Sequence, residues 1–205
     1  MSGSLTYSSY LVDGLSGAGA KPLLLFLHGK GERGDDLRKV RAHGPPHLFP
    51  KYGLDRFVVV SPQCPEDEKW DAERLDAFLT SFCETHPVDP TRIYLTGLSL
   101  GGEGAFHLLT RCRTRFAAAV LICGRVDPGA TVGLTGPMPP VWLVHSAADK
   151  VVPVAASDAV YEALKRIGAS VEYTRYRSKD HVGTWQKAYG GPQLFDWLLQ
   201  HSTSE

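Results

Sequence analysis

The chain has no surplus of charge. Its 22 Lys and Arg are matched by 22 Asp and Glu among 205 residues, so it offers no electrostatic footprint for nucleic acid or an anionic membrane surface. A small neutral substrate suits this balance better than either partner. There is no C-x-x-C pair either: Cys64, Cys83, Cys112 and Cys123 stand apart, and none of the eight histidines falls in an H-E-x-x-H pattern. A redox motif and a recognised zinc site are thereby missing, and no metal or cofactor is expected. The spaced cysteines read as buried free thiols in a reducing compartment. No apolar run approaches the ~20 residues that span a bilayer, and "MSGSLTYSSYLVDG" has no basic flank leading into an apolar stretch. The expectation is a cytoplasmic protein without a membrane partner. No repeat, charge block or long linker divides the chain, so residues 1–205 read as one domain, large enough to bury more than half of its unfolded surface.

What the chain does have is a succession of short apolar runs: "PLLLFLH" (22–28), "FVVVSP" (57–62), "RIYLTG" (92–97), "FAAAVLIC" (116–123), "VWLVHS" (141–146) and "VEYTRY" (171–176). Apolar character that is continuous rather than alternating belongs to strands covered on both faces, as in a parallel sheet between helices. Helical stretches separate or follow them at 73–86, 102–113, 153–168 and 193–200; in the third, Val160, Leu164 and Ile167 share a face and Gly168 supplies a stop. This alternation predicts an α/β domain with a mostly parallel central sheet and helices on both faces. An earlier strand within 5–12 would pair antiparallel at one edge. Two irregular segments, 29–56 and 124–140, follow strand ends on the side where open α/β sheets place their ligands.

The densest cluster of small residues is "YLTGLSLGGEG" (94–104), which contains Gly97, Ser99 and Gly101 in the pattern G-x-S-x-G. A bare match to this pattern arises easily by chance. Here a strand precedes it and a helix follows, which is the context of a nucleophile elbow, a turn so tight that side chains two positions either side of the serine are excluded. A serine hydroxyl needs a base to take its proton and a carboxylate to orient that base. In the chain order Ser, acid, His, the base candidates are His181, read as a loop residue after the last strand, and His145, at the end of a strand and better explained as a packed, hydrogen-bonded histidine. For the acid, Asp149 in "HSAADKVVP" leads, Asp127 in "GRVDPG" is second, and Asp180 reads as a solvated charge. Oxyanion donors are expected from the backbone N–H of Leu100, after the nucleophile, and of Lys30, where His28-Gly29 turns the chain toward the site. His28 itself reads as structural.

Taken together, "LLLFLHGKGERGDDL", "HGPP", "VVVSPQCP" with Trp70 shortly after, "VDPTRIYLTGLSLGGEGAF", "VWLVHSAADKVVP" and "DHVGTWQKAY" resemble the small α/β-hydrolases of the phospholipase/carboxylesterase and predicted-peptidase group, near dienelactone hydrolases and polyhydroxybutyrate depolymerase-like esterases. The resemblance runs from about residue 20 to 200. It implies an α/β-hydrolase fold, Ser99, Asp149 and His181 as a triad, Lys30 and Leu100 as oxyanion donors, and Trp70 as a candidate substrate contact. Dienelactone hydrolases carry cysteine at the elbow where this chain has serine, so that activity is not expected. The "GERG" and "HGPP" runs, Glu32-Arg33 and His43 to Pro46, read as a salt-bridged scaffold beneath the site. With too few residues in 124–140 for a cap domain, the expected function is hydrolysis of small or short-acyl esters at an open site. Thioester, lysophospholipid or peptide substrates could use the same triad, since acyl and leaving-group preference lie in pocket shape. A noncatalytic binding protein on the same scaffold is the reading from another class.

Overall fold

The computed structural model describes residues 6–16 and 19–203. Seven strands form one sheet: β1 (Tyr10–Asp13), β2 (Lys21–Leu27), β3 (Val58–Pro62), β4 (Val88–Leu98), β5 (Ala118–Ile122), β6 (Val141–Ser146) and β7 (Val171–Tyr176), in the order β1-β3-β2-β4-β5-β6-β7. Only β1 runs antiparallel, against β3, with Tyr10 opposite Pro62. It begins later than the 5–12 run suggests, and Leu5 lies outside the described residues. All other pairings are parallel.

The double burial predicted from the apolar runs is visible residue by residue in the strands inside the sheet, whereas β7, at the sheet edge, is half-buried or exposed along its whole length. Leu23, Leu25 and Leu27 of β2 join one core with Val58, Leu95, Ala119 and Leu143, while Leu24 and Phe26 join another with Val59, Tyr94, Val120 and Val144. Each buried Leu or Val among these contributes about 1.5–3 kcal/mol. The first core is closed by α2 (Ala72–Thr85), α3 (Leu100–Arg111) and α4 (Ala155–Arg166), through Leu75, Phe78, Leu108, Val160 and Leu164. The second is closed by α5 (His181–Tyr189) and α6 (Gln193–Leu198), through Trp185, Tyr189, Phe195 and Leu198. A further helix, α1 (Gly44–Leu48), lies in the 29–56 segment among 3₁₀ turns. Segment 124–140 holds a single 3₁₀ turn, Pro128–Thr131, and no cap. Among the described residues no helix is long and apolar enough to cross a membrane.

Two differences from the sequence reading bear on the site. Strand β4 starts four residues earlier than "RIYLTG", because Val88 already pairs with Lys21 of β2, with a register break between Lys21 and Leu23. Asp89 accepts hydrogen bonds from the Thr91 amide and hydroxyl there. His181 lies not in a loop but at the first residue of α5, with Asp180 capping the helix by accepting from Gly183 N–H at 2.7 Å. The strand order then decides where a site can form. From β2 the chain passes to β3, on one side, and from β4 it passes to β5, on the other. Connections that diverge in this way leave a crevice at the strands' carboxyl ends, here between His28-Gly29 and Ser99.

Candidate active site

Strand β4 ends at Leu98, α3 begins at Leu100, and Ser99 makes the whole turn between them with φ 53° and ψ −117°. The flanking glycines are obligatory. A Cβ on Gly97 would sit 2.2 Å from Gly101 O, and one on Gly101 would sit 1.9 Å from Leu27 O. The turn is tied to the sheet by Ser99 N–H donating to Ile122 O at 2.9 Å, and to the helix by Glu103 N–H donating to Ser99 O at 3.1 Å.

His181 reaches across from α5. Its Nε2 lies 2.9 Å from Ser99 Oγ and its Nδ1 2.6 Å from Asp149 Oδ2. The far end of the same helix is fixed to the strand that carries the serine: Tyr189, fully buried, has its hydroxyl 2.8 Å from Thr96 Oγ1, which donates to Val120 O. Both ends of α5 are therefore referenced to β4. Trp185 packs edge-on against His181 with ring centroids 5.0 Å apart. Asp149 is buried in the turn after β6, where its Oδ1 accepts from Val151 and Val152 N–H, each at 2.9 Å. Burial alone would push this carboxyl up, but the hydrogen bonds from His181 and from those two amides outweigh it and hold it below the usual carboxylate range. An ionised carboxylate only accepts, so Nδ1 carries the imidazole proton and Nε2 is left to accept from the serine hydroxyl. Neither alternative acid is part of this constellation. Asp127 is exposed and accepts from Gly129 N–H at 2.6 Å, and Asp180 is the exposed cap of α5.

The loop after β2 forms the opposite wall. A Cβ on Gly29 would stand 3.7 Å from Ser99 Cβ and 3.0 Å from Leu98 Cδ1, so the backbone leading to Lys30 passes directly beside the serine. The N–H of Leu100, in the first turn of α3, has no intrahelical acceptor. His28 is neutral and structural: Nδ1–H donates to Gly29 O at 2.7 Å, Nε2 accepts from Cys64 N–H at 3.0 Å, and burial pulls its pKa down to about 4. Trp70, the candidate substrate contact, is part of this support. It is 6 % exposed, its indole N–H donates to His28 O at 3.1 Å, and its ring packs on Tyr7 and His28. Ion pairs tie the "GERG" run to its surroundings, including the "HGPP" run. Arg33 pairs with Glu66 and donates to Lys30 O and Glu68 O, while buried Glu32 turns toward His43, at 3.6 Å, and neutral His28, at 3.9 Å. Burial raises the Glu32 carboxyl, an effect the neighbouring His43 opposes.

Two cavities flank these elements, one of about 240 Å³ lined by His43, Leu48, Trp185 and Tyr189, the other of about 430 Å³ lined by Lys69, Glu103, Arg125 and Pro153. Cys123, Asp149 and His181 bring potential metal-ligand atoms within 4.8 Å of one another. His181 Nδ1 and Asp149 Oδ2 are already bonded to each other, and burial pushes the Cys123 thiol up to about 12, far from the thiolate a metal requires. The set does not fit a resident metal. Sequence reasoning gave no role to His145 beside Asp149, although the four-residue spacing of the two was visible. The helical start of His181 also had a signal, in Asp180 followed by Gly183 and by Trp185 and Tyr189 four apart.

The sequence profile of the Phospholipase/Carboxylesterase family matches residues 58–187, well over half of the chain. The chain belongs to that family. Among solved structures, a thermostable esterase is 28% identical and superposes with a TM-score of 0.78 over 94% of this chain and 59% of that one. The chain thus spans little more than half the length of that esterase. Esterase PE8 gives a TM-score of 0.67 at 24% identity, over 89% of this chain and 95% of the other. A putative dienelactone hydrolase from Klebsiella pneumoniae subsp. pneumoniae MGH 78578 gives 0.64 at 17%, over 90% and 86%. The last two establish the α/β-hydrolase fold alone. No curated protein matches the sequence.

Proposed function

We propose that this phospholipase/carboxylesterase family member is a serine carboxylesterase that cleaves small or short-acyl esters through an acyl-enzyme. The observation that carries the proposal is the continuous chain Ser99 Oγ, His181 Nε2, His181 Nδ1, Asp149 Oδ2, with links of 2.9 and 2.6 Å. In the reaction, Ser99 Oγ bonds to the ester carbonyl carbon as its proton passes to His181 Nε2, and Asp149 stabilises the imidazolium so formed. The carbonyl oxygen becomes an oxyanion received by the N–H groups of Leu100 and Lys30, and a single such donor is worth roughly 10²–10³ in rate. Collapse expels the alkoxide, which takes the proton from His181. Water, deprotonated by His181, then attacks the acyl-enzyme, and the carboxylic acid leaves as Ser99 regains its proton from His181.

The short-acyl preference is supported by the absence of a cap over 124–140. Four cysteines without a disulfide support a reducing compartment. Hydrolysis of p-nitrophenyl acetate, butyrate and palmitate, with Ser99→Ala as blank, tests the reading. Acetate and butyrate should turn over fastest. Preference for palmitate would overturn the short-acyl claim, and no turnover of any ester above the blank would favour a binding protein on a hydrolase scaffold.

A further inference from the structure

His145, the penultimate residue of β6, lies four residues before Asp149 and is fully buried. Its Nε2 is 3.1 Å from Val152 O and 3.2 Å from Asp149 Oδ2, and its Nδ1 is 2.7 Å from the hydroxyl of Ser157 on α4. A carbonyl oxygen only accepts, so Nε2 must carry a proton. Burial lowers the pKa of the ring, which is therefore neutral near pH 7, and its bare Nδ1 accepts from Ser157 O–H. Val152 is thus held from both sides: its N–H donates to Asp149 Oδ1 and its carbonyl accepts from His145. We propose that His145 is a positioning residue for the Ser99 site, its Nε2–H, oriented by Ser157, holding the 149–152 turn so that Asp149 Oδ2 stays on His181 Nδ1. This rests on the reading of Ser99, His181 and Asp149 as a triad.

The chemistry distinguishes this role from filling space. An apolar side chain of similar volume would leave the Val152 carbonyl without its donor and Asp149 Oδ2 without a neighbouring N–H dipole. A cationic side chain would neutralise Asp149 and weaken its support for a His181 imidazolium. A neutral imidazole fixes the carboxylate without discharging it. The other titratable or charged groups facing this corner are His181, the protonated thiol of Cys123, and Arg125, whose guanidinium donates to Val151 O.

A double-mutant cycle on the full chain tests the inference: wild type, His145→Ala, Asp149→Asn and the double variant, with p-nitrophenyl acetate kinetics normalised to correctly folded protein by near-UV circular dichroism. His145→Ala should lower kcat by roughly 10- to 100-fold, by analogy with loss of the outer hydrogen-bond partner of a metal ligand, with KM nearly unchanged. It should also move the acid limb of kcat/KM to lower pH, because a carboxylate no longer held on Nδ1 stabilises the His181 imidazolium less. In the Asp149→Asn background the same substitution should change kcat less than about threefold, since residues acting through one another are not additive. His145→Gln, which keeps a neutral donor, should recover most of the loss. An equal factor in both backgrounds, or an unmoved acid limb, would overturn the inference while leaving the triad standing. Near-wild-type activity in Asp149→Asn would overturn the triad itself. Should His145→Ala not fold, Ser157→Ala replaces it in the cycle: a kcat loss confined to the Asp149 background supports the inference, and no loss or an equal loss in both overturns it.

Discussion

Ser99→Gly and Ser99→Ala, compared with each other, isolate the strain stored at the elbow. Both remove the hydroxyl and its contact with His181, so that loss cancels between them. What differs is the backbone: alanine must still be held at φ 53° and ψ −117°, while glycine adopts positive φ freely. A non-glycine residue in such a region costs of order 1–3 kcal/mol, against which glycine loses about 0.5–1 kcal/mol more chain entropy than alanine on folding. The glycine variant should therefore be more stable than the alanine variant by roughly 0.5–2 kcal/mol, or about 1–8 °C in melting temperature for a chain of this size. Paired thermal melts by circular dichroism at pH 7 measure the difference. A glycine variant that melts at or below the alanine variant would refute the claim that the turn is strained. Both variants should be inactive, which separates stability from function at one position.

Asp149→Asn should lower kcat by several orders of magnitude, roughly 10⁴-fold as for other triads whose histidine loses its orienting acid, whereas exposed Asp127→Asn should leave esterase kinetics within about twofold of wild type; the reverse ranking would reassign the acid. Gly101→Ala should yield little folded protein, since its Cβ would lie 1.9 Å from Leu27 O, which is backbone and cannot step aside; normal expression and melting would contradict the geometry. Glu32 supplies a pH test. Its folded pKa is raised above its ordinary value of 4.5 by burial, so its ionisation opposes folding above that range. Glu32→Gln should raise the melting temperature at pH 7, with the gain shrinking as pH falls through the raised pKa and gone below 4.5. A gain that persists at pH 4 would show that the effect is not electrostatic.

Much of the fold could be read from the chain because its signals are local. The β6 and β7 runs coincide with the observed strands, and the sharp turn at Ser99 declares itself through glycines that must be there whatever surrounds them. The elements that escaped depend on distant partners. Residues 88–91 join β4 only because β2 lies alongside, and nothing within them announces it. His181 opens a helix whose hydrophobic face, Trp185 and Tyr189, is justified by Thr96, Phe26 and Phe195 elsewhere in the chain. Trp70 enters as a candidate contact only through the family resemblance, and nothing local to it tells a substrate contact from a buried support. Its indole is instead absorbed by the His28 carbonyl and by the space that Gly104 leaves open, where a Cβ would lie 2.5 Å from Trp70 Cβ. His145 was read as packed and hydrogen-bonded, and its partners are Ser157, Val152 and Asp149, the last two within seven residues of it. The order of the motifs along the chain thus carries the site, while the contacts that aim each side chain are made in three dimensions.

The central claim is that His181 activates Ser99 for covalent attack, and the rate and site of fluorophosphonate labelling test it most directly. With wild-type protein, mass spectrometry of the digested adduct should place the label on Ser99 alone, and the second-order labelling rate should fall by at least roughly 10³-fold in folded His181→Ala, because members of a triad act as a unit. Labelling on another residue, or an undiminished rate at Ser99 in the histidine variant, would contradict the account.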